Sequence, residues 1–178
     1  GQLNMTLAWD VFGNTAQEGL GTSVAGVGDV NCDGFADVAV GAPGSPATSE
    51  GRVLVYYGQA ADPTDSTTGG LPQTANNEFV GETVGDRFGA DLAPSGRIKD
   101  PASTNGEDCD GLWISASFRD EGLTDAGKVY LYLGTVSGGG LPSTPTETIL
   151  GPLANGFFGT VLDGGGDVNG DGTPDLVV

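Results

Sequence analysis

The stretch at residues 28 to 43, GDVNCDGFADVAVGAP, places Asp29, Asn31, Asp33 and Asp37 at positions 1, 3, 5 and 9 of one short loop. Gly34 stands at position 6, and the carbonyl of Phe35 falls at position 7. Residues 166 to 178, GDVNGDGTPDLVV, repeat the arrangement with Asp167, Asn169, Asp171, Gly172, the carbonyl of Thr173 and Asp175. Every donor in both sets is a hard oxygen. Calcium takes six to eight oxygen ligands at about 2.3 to 2.6 Å, and a loop can supply them from alternate positions where a glycine permits the bend. The residues therefore point to two calcium sites, the second stiffened by Pro174. Asp, Asn and Gly also favour ordinary turns, but turning alone does not require two copies with one ligand spacing. An EF-hand shares the first half of the pattern and then needs a bidentate Glu at position 12 and a following helix. Position 12 here is Val40 or Val178, each in a strand-like run.

The chemistry expected of such loops is structural. An ion closed in by protein oxygens lacks the open position of a catalytic metal, and its work is to neutralise carboxylates and fix a turn between two strands. The chain has no histidine, which removes the usual general base and the usual transition-metal ligand together. No nucleophile, base and orienter set stands out, and carboxylate pairs of the kind that cleave glycosides are mostly committed to the loops. The expectation is a protein that is not an enzyme.

The elements that position the loops follow from composition and periodicity. Gly at 33 and Pro at 10 in 178 residues favour short strands joined by tight turns, so an all-β fold is expected. With 6 basic against 24 acidic residues, the net charge of -18 opposes binding to nucleic acid or an anionic membrane surface. No apolar run approaches the roughly 18 to 20 residues of a membrane-spanning helix, so membrane insertion is not expected. Two cysteines and an acidic surface suit an extracellular or cell-surface chain, where Asn4 of the sequon Asn4-Met5-Thr6 would be open to glycosylation.

The chain repeats itself at about 70 residues. Gly13, Gly81 and Gly151 are each followed eight residues later by Gly21, Gly89 and Gly159, which Leu20, Phe88 and Phe158 precede. GGLP occurs at 69 to 72 and 139 to 142, and an alternating aromatic run occurs as RVLVYYG at 52 to 58 and KVYLYLG at 128 to 134. Each unit reads as four strands by period-2 alternation: about 22 to 27, 37 to 41, 52 to 57 and 77 to 80, then about 90 to 94, 112 to 117, 128 to 133 and 147 to 150. Repeated four-stranded units of this length are the signature of β-propeller blades. Tyr56, Tyr57, Tyr130 and Tyr132 could form a sugar-stacking platform, but their alternation within strands favours packing between blades.

With Gly21-Thr22-Ser23-Val24-Ala25, GDVNCDGFADVAVGAP and GRVLVYYG in register, and Phe158-Gly159 followed by GDVNGDGTPDLVV, the chain resembles the FG-GAP repeat of integrin α-subunit propellers. The resemblance implies four-stranded antiparallel blades with calcium held between the first and second strands of some of them. On this scheme residues 1–19 hold the outer strand of a preceding blade, at Trp9 to Phe12. Residues 20–87 and 88–157 form two blades, and 158–178 form the first half of a further one. The blades at both ends would then be incomplete, to be finished by more of a longer polypeptide or by strand addition from another chain.

The second unit departs from the pattern. Its region at 96 to 117 carries an insertion of roughly nine residues, the kind of loop that can bind a partner. It keeps only Asp108, Asp110 and Gly111, with Gly106 and Ile114 where the first and last aspartates would stand. No calcium, or a weak site, is expected there. Cys32 and Cys109 hold matching positions in neighbouring units. A disulfide between them, free thiols or an intermolecular bridge are all open.

Two functions follow. The first is a calcium-stabilised scaffold or adhesion protein that engages protein or glycan partners, or self-assembles through unpaired blade edges. The second is an accessory or glycan-binding propeller of a secreted carbohydrate-active enzyme or phospholipase.

Overall fold

A computed structural model describes residues 9–45, 47–60, 70–99, 108–135 and 139–178. Asn4 and most of the insertion lie outside the described residues. Among those described there is no helix, and none therefore that is long and apolar enough to cross a membrane. The first unit is a four-stranded antiparallel sheet of β1 (Ser23–Gly28), β2 (Asp37–Ala42), β3 (Arg52–Tyr56) and β4 (Asn77–Val80), paired in chain order. The second repeats it with β5 (Phe88–Gly96), β6 (Asp108–Ala116), β7 (Lys128–Thr135) and β8 (Glu147–Leu150). The third contributes an antiparallel pair, β9 (Asp163–Gly166) and β10 (Asp175–Val177). These are propeller-type blades, all-β, and each strand expected in the first two units is present.

The core lies between blades. Along β3, Val53 and Val55 face one cluster while Leu54 and Tyr56 face another, as the two-residue period of a strand requires. Along β7, Tyr130 and Tyr132 pack into the same cluster as Val53 and Val55, whereas Val129, Leu131 and Leu133 pack on the opposite face with Leu162 of the third unit. Both faces of β7 are thus buried, which explains its unbroken apolar run. A one-residue slip would exchange the two faces, so register is firmly set. Phe88 meets Tyr130 edge-on with centroids 5.3 Å apart, and Phe79 meets Tyr132 at 4.5 Å.

Backbone contacts lock the first two blades together. Gly51 forms a parallel bridge with Phe88, and Ser23 Oγ donates to the Gly89 carbonyl at 2.8 Å. Tyr57 donates through its hydroxyl to Asn77 Oδ1 and accepts from Leu141 N–H at 3.1 Å. The side chains of Tyr56, Tyr130 and Tyr132 are buried, and that of Tyr57 is partly buried, so their role is packing between blades rather than an open platform. On the second blade Arg119 pairs with Glu82 at 2.7 Å and Asp86 at 3.2 Å, and Lys128 pairs with Glu121 at 2.8 Å.

One segment is held without a ladder, and one local expectation changes. Residues 9–12, expected as an outer strand, form no ladder with any described strand. A strand exists through its ladder bonds, and here the segment is held by side chains: Trp9 packs on Tyr56 at 4.9 Å, and its indole N–H donates to the Pro72 carbonyl at 2.9 Å. The strand expected from 112 starts at Asp108, so Asp108 and Asp110 are strand residues rather than the remnant of a loop.

Phe88 is 2% exposed in the shared cluster. Phe88→Ala should cost about 3 to 5 kcal/mol. Urea unfolding should show one cooperative transition shifted to lower midpoint; two separate transitions would contradict a shared core.

Candidate metal centre

Each acidic loop joins the inner two strands of its unit, β1 to β2 in the first and β9 to β10 in the third. In the first loop Asp29 Oδ1 accepts from Asp33 N–H at 3.0 Å, and Oδ2 accepts from Gly34 N–H at 2.9 Å. Asn31 Oδ1 accepts from Asp33 N–H at 3.1 Å, and Asp33 Oδ1 accepts from Phe35 N–H at 2.9 Å. The third loop repeats these bonds position for position. Asp167 accepts from Asp171 N–H at 3.1 Å and Gly172 N–H at 2.9 Å, Asn169 from Asp171 N–H at 2.8 Å, and Asp171 from Thr173 N–H at 2.8 Å. Such side-chain-to-backbone bonds are what make Asp and Asn effective in turns.

The bend also needs left-handed backbone at two positions. At position 6 glycine supplies it in both loops, with φ of 93° at Gly34 and 89° at Gly172. At position 4 the third loop uses Gly170 at 78°, whereas the first uses Cys32 at 57°. The cysteine is the costlier choice, since a Cβ disfavours this region. It is bonded to Cys109 across a Cα separation of 5.4 Å.

The ninth position ties each loop to its strand. Asp37, 1% exposed, accepts from Val30 N–H and Gly58 N–H, both at 2.8 Å. Asp175 accepts from Val168 N–H at 2.8 Å. Burial pushes the Asp37 carboxyl up to about 6, aided by the charges of Asp33 and Asp29 and opposed by the two backbone bonds. Asp167 is held below the usual carboxylate range by the backbone N–H groups of Gly172, Gly170 and Asp171.

The donor set of each loop fits a hard cation: carboxylate, amide and carbonyl oxygens, with no nitrogen or sulfur ligand. Each hydrogen-bonded carboxylate oxygen keeps further lone-pair capacity. Among the described residues, however, no three Cys, Asp or Glu side chains converge closely enough to hold a metal by themselves. The amide of Asn31 or Asn169 and the carbonyl of Phe35 or Thr173 would have to complete a calcium shell with Asp29, Asp33 and Asp37, or with Asp167, Asp171 and Asp175. In the second unit Asp108 and Asp110 lie in β6 and form no such loop.

One residue absent from the ligand pattern reaches the first loop. Asp110 Oδ2 accepts from Asp29 N–H at 2.8 Å, and Asp110 N–H donates to the Asp29 carbonyl at 3.0 Å. The only signal of this in the sequence is the shared Cys-Asp-Gly of the two units, which aligns Asp110 with Asp33 rather than placing it against Asp29.

Asp37 has a structural task that needs no metal. With chelator present, Asp37→Ala leaves two backbone N–H groups without their acceptor and should destabilise the chain by about 1 to 3 kcal/mol for each. Asp37→Asn, which keeps one accepting oxygen, should lose less. Urea midpoints compare the two, and equal losses would contradict this role.

A family model described as FG-GAP repeat matches residues 20–56. Phosphatidylinositol-glycan-specific phospholipase D of Homo sapiens is 35% identical over 156 residues, covering 84% of this chain and 17% of that protein. Integrin alpha-IIb of Homo sapiens is 32% identical over 166 residues, or 89% of this chain and 14% of its own length. Integrin alpha-V of Gallus gallus is 30% identical over 179 residues, or 98% of this chain and 16% of its own length. The chain thus spans about a sixth of each of these curated relatives. With the repeat matched directly at 20–56 and its plan recurring in the units that follow, this is an FG-GAP-repeat chain, similar over most of its length to integrin α-subunits.

Proposed function

We propose that the chain is a non-catalytic, calcium-stabilised scaffold or adhesion module that works outside the cell and presents its loops and blade edges to protein or glycan partners. The observation that carries this reading is the hydrogen-bond pattern shared, position for position, by the loops at 29 to 37 and 167 to 175. Two loops preshaped alike, both lined by oxygens, are what a structural cation needs. Calcium would supply positive charge to clustered carboxylates. Asp29, Asn31, Asp33, the Phe35 carbonyl and Asp37 would hold one ion, and their counterparts in the third unit a second. Similarity to integrin α-subunits supports an extracellular setting and protein partners. Exposed apolar residues on outer strands, Val80 of β4 and Ile149 and Leu150 of β8, support association through blade edges.

Similarity to phosphatidylinositol-glycan-specific phospholipase D favours a second reading, an accessory or glycan-binding region beside an enzyme. Hydrolysis of phospholipids or glycans by the purified chain, retained after both loops are substituted without loss of folding, would establish catalysis and displace the scaffold reading.

Scanning calorimetry tests the calcium assignment. At a free concentration one hundred times the dissociation constant, each site should add about 2.7 kcal/mol of stability, moving the transition well above its position in chelator. Superimposed transitions in calcium and in chelator would overturn it.

A further inference from the structure

The first acidic loop is bound from outside by residues of the neighbouring blade. Val30, at position 2 of the first loop, is 0% exposed. The Val30 carbonyl lies so near β7 that a Cβ on Gly134 would meet it at 2.1 Å. Asp29, the first residue of the ligand pattern, has both its backbone N–H and its carbonyl bound by Asp110. Gly28 makes room for that carboxylate, since a Cβ there would sit 2.3 Å from Asp110 Oδ2. The residue before Asp110 is Cys109, itself 1% exposed and bonded to Cys32 at position 4 of the first loop.

We propose that the first loop is a two-blade calcium site, in which Asp110, held in place by the Cys32–Cys109 bond, positions Asp29 and strengthens calcium binding by this loop. The proposal rests on reading both loops as calcium sites. Its physical basis is preorganisation: a loop fixed at positions 1 and 4 from outside loses less conformational freedom on taking up the ion. Asp110 is a positioning residue in this scheme, acting through the backbone of Asp29. The disulfide makes the first loop sensitive to reduction, while the third loop, with Gly170 at position 4, has no such dependence.

The test uses the full chain in two single-loop backgrounds. Asp167→Ala with Asp171→Ala leaves the first loop, and Asp29→Ala with Asp33→Ala leaves the third. Calcium alone is titrated into each by calorimetry. Asp110→Ala should weaken the first loop about 10-fold or more, the usual effect of removing a partner that orients a ligand. Asp110→Asn should recover part of that loss, because its amide oxygen can still accept from Asp29 N–H. Cys32→Ser with Cys109→Ser should weaken the first loop as well, and the third loop should keep its affinity in every variant that folds. Should the double cysteine variant not fold, the Asp110 variants carry the test. An unchanged first loop in Asp110→Ala, or an equal loss in both loops, overturns the proposal. Absence of calcium binding by the wild-type chain overturns the reading of the loops, and the proposal with it.

Discussion

A four-stranded blade has two apolar faces and needs its neighbours to cover them. That constraint organises the molecule. Val53 and Val55 are buried in a cluster to which Phe88, Tyr130 and Tyr132 of the next unit contribute, and Val129, Leu131 and Leu133 share theirs with Leu162 of the third unit. Stability in such an array resides in the interfaces between neighbours as much as in the repeats. Close approach is therefore selected at the contact points, where Gly51 meets Phe88 and Gly127 meets Phe158 with no room for a side chain.

Stacking the units places a sharp, acidic turn between the inner strands of the first and third. The turn is shaped first by hydrogen bonds from its own backbone to Asp29, Asn31 and Asp33, and is anchored by the buried Asp37. The carboxylates that give the loop its form also concentrate negative charge on a chain already at -18. On the proposed reading a bound cation would offset that charge. The first loop carries a further tie, since Cys32 joins it to the neighbouring blade.

Much of the fold was legible because both signals that specify it are local. Period-2 alternation located β1 to β4 and β5 to β8, and the recurring glycines established the unit. The loops were equally legible as sharp turns, since Asp, Asn and Gly at alternate positions bond to their own backbone. Contacts between units were less visible. Cys32 and Cys109 could be matched in register, but spacing alone did not say whether neighbouring blades bring them within bonding reach. Asp110 looked like a survivor of a lost loop, and only the start of β6 at Asp108 shows that it serves the loop next door. Trp9 to Phe12 has strand-like residues, yet what holds it is the edge-on contact of Trp9 with Tyr56, which no one-dimensional pattern encodes.

The central claim is that interfaces hold the blades while the acidic loops hold the turns between their inner strands, with calcium acting on the turns. Amide hydrogen exchange, followed along the chain in calcium and in chelator, separates the two most directly. The account predicts that calcium strongly slows exchange at residues 29 to 37 and 167 to 175 and leaves the buried strands β3 and β7 nearly unchanged. Equal protection of the loops in both conditions would contradict it.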